Sequence, residues 1–198
     1  MPAICIGLLM KRKWTYLILA ALCLLFFSSC GKNGAQATLE RYFEALSEQD
    51  FVLAGKLLGD ETAYASAIKM QQEAGTYLET ANNRAFLELI YSGISWEIPN
   101  VEEREDAASA QVRISSYPAK EIIRLQQEKL DAFMNTEAYQ AMSAGEQYVA
   151  LCETSPLLFE ECGGVQKVET VLTVELRKEN GEWRILPEKT LFDALAGE

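Results

Sequence analysis

Asn180-Gly181 stands between two runs in which apolar and polar residues alternate, and no other pair in the chain restricts the fold as tightly. An Asn-Gly connection favours a two-residue type I′ turn, because both central residues need positive φ. The segment therefore predicts a tight antiparallel hairpin. The turn sets the register: Leu176 should oppose Ile185, and Lys178 should oppose Trp183. Val174, Leu176, Trp183 and Ile185 then share one face. A slip of a single residue would turn that whole set toward water. Upstream lies the longest predicted strand. Val168, Thr170, Leu172, Val174 and Leu176 face one way along it, and Lys167, Glu169, Val171, Thr173, Glu175 and Arg177 the other.

A second hairpin is predicted earlier in the chain. Ile94, Trp96 and Ile98 alternate with polar residues, and Pro99-Asn100 is read as a turn. Ala108, Ala110, Val112 and Ile114 alternate with Ser109, Gln111, Arg113 and Ser115. These are two half-buried strands joined by an acidic turn over 102–106. Helices precede them. Residues 37–46 place Leu39, Phe43 and Leu46 on one stripe. Asp50 is positioned to cap a short helix that runs to Leu58 and stops at Gly59. Residues 62–78 read as helix, with Tyr64, Ile68 and Leu78 toward the core. Asn82 or Asn83 is expected to cap a further helix that runs to Tyr91 and ends at Gly93.

Between the hairpins, Pro118 opens a helical insert, 118–162. Ile122, Ile123, Leu130, Phe133 and Met134 form its apolar side. Ser143 and Glu146 have capping-box spacing for a helix carrying Tyr148, Val149 and Cys152. Pro156 should end or kink that helix, and Gly163-Gly164 release the chain into the long strand. Thr190 is expected to cap a last turn over 191–195, closed by Gly197. Helices first, then strands with a helical excursion, make an α+β pattern.

The N-terminal region has a different character. Lys11, Arg12 and Lys13 precede an apolar run, 14–27, in which only Thr15 is polar. A bilayer span needs about 20 apolar residues, whereas the apolar core of a signal peptide needs about 7–15. The run therefore reads as a signal peptide, 1–29, with Met10 as its true start. Phe27-Ser28-Ser29-Cys30-Gly31 resembles a bacterial lipobox, in which a diacylglycerol is attached to the cysteine thiol and the leader is cut just before it. The lipobox usually has Leu where this chain has Phe27. The resemblance implies a lipidated Cys30, a short polar tether, 30–36, and an extracytoplasmic address at the membrane surface. Buried acyl CH₂ groups contribute about 0.8 kcal/mol each, so two or three chains suffice to hold a domain there.

Composition narrows the partners. All 29 acidic residues and 15 of the 18 basic ones follow Cys30, so that part carries −14. This argues against nucleic acid and against polybasic docking to anionic lipid. There is no histidine, which removes His-based triads and most zinc sites. No cofactor motif is present, and no catalytic pair can be assigned by spacing. Glu102, Glu103, Glu105 and Asp106 lack calcium-loop spacing and read as a solvated turn rather than a cation site. Cys152 and Cys162 are the cysteines left in the folded part. They could form a disulfide worth about 2–3 kcal/mol by loop entropy, or stay as two buried thiols.

Two stretches carry a family resemblance. ATLERYFEALSEQDFVLAGKLL is similar to the opening helices of the nuclear transport factor 2-like superfamily, the curved-sheet cone also seen in ketosteroid isomerases. VETVLTVELRKENGEWRILPEKTLFDALAG is similar to its closing hairpin. With the lipobox, the chain resembles bacterial lipoprotein families built on that cone. The resemblance implies N-terminal helices packed on a curved antiparallel sheet over 37–197, with the insert as an addition. It also implies a cavity inside the cone. Trp96, Trp183, Tyr42, Phe43, Phe86 and Phe133 are its candidate lining, although apolar residues at this spacing fill a core by default. Two functions stay open: a non-catalytic module that binds a protein or a small apolar ligand, and an isomerase-type enzyme that uses the cone.

Overall fold

The computed structural model describes residues 34–59, 66, 68–70, 72–73 and 75–198. The signal-peptide segment, Cys30, most of the tether, and Tyr64 lie outside these residues. Helix α1 (Ala35–Ser47) buries the predicted stripe completely: Leu39, Phe43 and Leu46 have no exposed surface, and neither does Tyr42. Its N-cap, Gly34, supplies no side chain. The Glu103 carboxylate accepts from the Ala35 amide at 2.6 Å instead, so the cap comes from the first hairpin. This satisfies one of the four amides that a helix start leaves open. Helix α2 (Phe51–Leu57) is capped as expected, with Asp50 accepting from the Leu53 amide at 3.0 Å.

Helix α3 (Tyr77–Ser92) begins earlier than the sequence reading placed it. Thr76 and Glu79 form a capping box, so neither Asn82 nor Asn83 is the cap. Leu78 belongs to α3 rather than to the end of the 62–78 helix, much of which lies outside the described residues. Gly75, at φ +88, separates the two.

Strands β1 (Ser95–Arg104), β2 (Ala107–Ser116), β3 (Val168–Glu179) and β4 (Glu182–Ile185) pair antiparallel in the order β1-β2-β3-β4. The chain is a mixed α+β protein: helices packed on a curved four-stranded antiparallel sheet, in a cone-like arrangement. The Asn180-Gly181 turn forms with φ of 51° and 84°, and it gives the predicted pairs Leu176–Ile185 and Lys178–Trp183. The buried face of β2 is Ala108, Ala110, Val112 and Ile114, as the alternation requires. Pro99-Asn100 is not a turn. It lies inside β1, where the register shifts between Glu97 and Asn100. Proline cannot donate to the ladder, and an edge strand absorbs it as a bulge. The connection to β2 is correspondingly shorter than 102–106. Glu102 to Arg104 are strand, and only Glu105 and Asp106 turn.

The insert comprises α4 (Ala119–Met134), α5 (Glu137–Gln140), α6 (Ala144–Glu160) and a 3₁₀ turn (Glu161–Gly164). It builds a core of its own with α3, from Ile90, Ile122, Phe159 and Cys162, with Phe86 and Leu89 packed against them. Ile122 is fully buried, whereas Ile123, expected on the same side, is half exposed. The Ser143–Glu146 capping box is present. Pro156 does not end α6, which continues to Glu160. Packing explains this. Ser155, Leu158 and Phe159 are all buried, and Ser155 receives the buried Gln126 side chain from α4 at 2.8 Å.

The same helix forbids the Cys152–Cys162 bridge. Ten residues of helix separate the two by about 15 Å along the axis, whereas a disulfide holds its Cα atoms about 4.4–6.8 Å apart. Both thiols are free. Cys162 is buried, and its sulfur donates to the Leu158 carbonyl at 3.2 Å.

Helix α7 (Lys189–Leu195) closes the chain against β2 and β3. It starts at Lys189 with Glu188 as N-cap and no side-chain cap, so Thr190 does not serve. The buried Ser116 hydroxyl donates to the Ala194 carbonyl at 2.6 Å, and the Ala119 amide donates to the Ala196 carbonyl at 2.8 Å. Gly197 is at φ +66, and a Cβ there would lie 2.6 Å from the Tyr117 carbonyl oxygen. Only glycine fits both the angle and the approach.

Candidate functional site

The aromatic residues read as cavity lining are divided between two cores. Tyr42 and Phe43 are fully buried and meet edge-on at 5.3 Å, and Phe43 stacks on Trp96 at 5.5 Å. Phe86 packs on Phe159 at 5.7 Å in the insert core. Phe133 meets Tyr139 edge-on at 5.2 Å, also within the insert. Neither reaches the concave face of the sheet. That face is filled by α1 and α7 side chains: Leu39, Tyr42, Phe43, Leu46 and Leu191 pack with Val112, Ile114, Leu176 and Ile185, each at most 1% exposed. Among the described residues the buried polar side chains are Ser116, Gln126 and Ser155, and no carboxylate is buried.

Trp96 and Trp183 reach open depressions. Trp96 lines a shallow one of about 160 Å³, beside Arg113, which bridges Glu97 at 2.8 Å and Glu169 at 3.3 Å. Trp183 lines a larger groove of about 380 Å³ between α1, α2 and the β3–β4 hairpin. Ala37, Thr38 and Arg41 come from α1; Leu53, Lys56 and Leu57 from α2; Gly181, Glu182 and Arg184 from the hairpin. The Asn180-Gly181 turn places Trp183 facing inward and Arg184 facing outward. Lys178 lies over the Trp183 ring, its Nζ 5.6 Å from the centroid. Arg184 pairs with Glu182. Arg41 and Lys56 are exposed and make no ion pair with any described residue. An apolar floor of Leu53, Leu57 and Trp183 with cations along the lip suits an anionic group attached to apolar matter.

The acidic residues at the first turn diverge rather than converge. Glu102 and Glu103 occupy successive positions of β1 and so point to opposite faces. Glu103 is already engaged with Ala35. No group of three potential metal ligands occurs among the described residues. Cys162 is ill suited to nucleophilic chemistry. Burial pushes the Cys162 thiol above its ordinary pKa, which lowers the thiolate fraction that attack requires. The Tyr148 hydroxyl, half exposed, pairs with Cys152 and has its own pKa raised by that contact.

Arg41, Lys56 and Arg184 were not singled out by the sequence. Arg41 and Arg184 lie beside residues that the sequence does mark, Tyr42 and Trp183, but the convergence of the three cations depends on long-range packing.

No helix among the described residues is long and apolar enough to cross a membrane. No family model matches the sequence, and no curated protein is matched by it. Among solved structures, the chain is similar to a candidate lipoprotein (ycdA) of Bacillus subtilis, with a TM-score of 0.55 and 13% sequence identity. The match covers 81% of this chain and 54% of that one, so the chain corresponds to about half of that neighbour. At this identity the likeness is one of fold.

Proposed function

We propose that the chain is a lipoprotein, anchored to the outer side of a bacterial cell membrane through a lipidated Cys30. Its nuclear transport factor 2-like domain acts as a non-catalytic binding or interaction module. The anchor is supported by the signal-like run ending in Phe-Ser-Ser-Cys-Gly and by a fold shared with a candidate lipoprotein. The non-catalytic reading rests on one observation: side chains fill the concave face of the sheet, with no carboxylate buried among the described residues. An isomerase of the ketosteroid type needs a base and an oxyanion donor facing a substrate inside the cone. The packing of Tyr42 and Phe43 leaves their part of the cone no such space.

Mass spectrometry of the mature N-terminus, with fractionation of wild type and Cys30→Ser, tests the anchor. The expected result is an acylated cysteine in the membrane fraction for wild type and a released protein for the variant. An unacylated wild-type N-terminus would overturn the assignment.

A further inference from the structure

We propose that the groove between α1, α2 and the β3–β4 hairpin receives the phosphate of an anionic phospholipid headgroup, so that the domain stands on the membrane by its hairpin end. This rests on the lipidation of Cys30 proposed above. Three observations carry it.

The first is where the groove sits relative to the anchor. Five residue steps separate Cys30 from Ala35, which span at most about 18 Å when fully extended. Arg41 is six residues into α1 from Ala35, about 9 Å further along the helix axis. The hydrogen bond from Ala35 to Glu103 fixes the start of α1 beside the first hairpin turn. The Asp106 carbonyl accepts from the Lys178 amide at 2.8 Å, which joins that turn to the second hairpin. Both turns, the start of α1 and the groove therefore share one end of the domain. The anchor cannot hold that end far from the bilayer.

The second is the cations. Arg41 and Lys56 have no acidic partner among the described residues, although the region after Cys30 carries −14. Across the sheet, Arg104 opposes Ala107, Ala107 opposes Arg177, and Arg177 opposes Arg184. Like charges directly opposite repel. Glu182 pairs with Arg184. An anion in the groove would meet Arg41 and Lys56, with Arg184 already paired to Glu182. Lys178, exposed beside it with its Nζ 5.6 Å from the centroid of the buried Trp183 ring, adds a further cation at this end.

The third is the charge elsewhere. An anionic bilayer repels a strongly acidic domain over roughly a Debye length, about 8–10 Å. Arg41 and Lys56 are positive charges at the hairpin end that no described carboxylate pairs, which lowers that repulsion locally.

The acylated full-length mature protein, reconstituted in phosphatidylcholine vesicles with and without phosphatidylglycerol, provides the test. Flotation comes first. Protein that does not float overturns both the anchor and this inference. For floating protein, amide hydrogen exchange is read at 37–41, 53–57 and 181–184. The expected result is slower exchange there when phosphatidylglycerol is present, and loss of that slowing in Arg41→Glu/Lys56→Glu. Arg41→Gln/Lys56→Gln should show a partial loss and serves if the double reversal perturbs folding. Equal exchange in both vesicles would overturn the groove assignment and leave the anchor standing. The same slowing from a free oligoglutamate peptide on phosphatidylcholine vesicles would also overturn it, by assigning the groove to an acidic protein segment.

Discussion

The sheet half and the insert half reach stability by different means. In the sheet half, α1 and α7 cover strands whose alternation is nearly complete, and its largest buried side chains have essentially no exposed surface. The insert has a smaller core, Ile90, Ile122, Phe159 and Cys162, and it leaves Ile123, Tyr148, Val149 and Leu157 half exposed or more. Together with α3, it relies more on specific polar devices: two capping boxes, at the starts of α3 and α6, and the buried Gln126–Ser155 pair. A wide apolar face specifies a fold by area. A narrow one needs hydrogen bonds that only one arrangement satisfies.

The largest expected effect is in the sheet half. Phe43→Ala should destabilise the domain by about 3–5 kcal/mol, as large core truncations do, measured by urea denaturation. A value similar to that of a surface substitution would show that the α1 core is looser than its burial implies. In the insert, Ser155→Ala removes the 2.8 Å partner of the buried Gln126 amide, leaves it only the Ser155 carbonyl at 3.4 Å, and should cost about 0.5–1.5 kcal/mol. Adding Gln126→Leu to that variant should recover much of the loss, because replacing both partners removes the weakly met donor. If the double variant is as unstable as the single, the pair does not act as a unit. Gly181→Ala places a Cβ on left-handed backbone, with an expected cost of about 1–2 kcal/mol. The loss should appear in Trp183 fluorescence before it appears in the helical signal.

Two smaller effects separate the halves further. Glu79 and Glu146 are held below their ordinary pKa of 4.5 by hydrogen bonds from Thr76 and Ser143. A lowered folded value contributes stability that is present above the ordinary pKa and is lost as pH falls through the folded one. Acid should therefore weaken the starts of α3 and α6 before it touches the sheet. Thr76→Ala with Ser143→Ala should flatten that part of the helical circular-dichroism profile. Under native conditions N-ethylmaleimide should label Cys152 before Cys162, and labelling should be the same with and without prior reduction. A reductant-dependent mass difference would mean that α6 unwinds far enough to bridge them.

Legibility in the sequence follows the same division. The Asn180-Gly181 register, the α1 stripe and the buried face of β2 are local periodicities, and local patterns survive because the fold uses them unchanged. Pro156 does not end α6, because the local rule meets three buried neighbours that keep the helix going. The start of α3 is visible as Thr76-x-x-Glu79, but apolar residues recur on both sides of Gly75 and mask the break. Pro99-Asn100 has turn chemistry that an edge strand can absorb. The groove could not be read at all. Its cations lie at positions 41, 56 and 184, and only the wrapping of α2 against the last hairpin brings them together.

The irregularity at Pro99 has a further consequence. Strand β1 ends the sheet with no strand pairing its outer side among the described residues. Such a border invites a second copy to zip on. A residue without an amide proton, a break in the spacing and glutamates on both sides spoil the match. Molecules of this kind could crowd together and still remain separate.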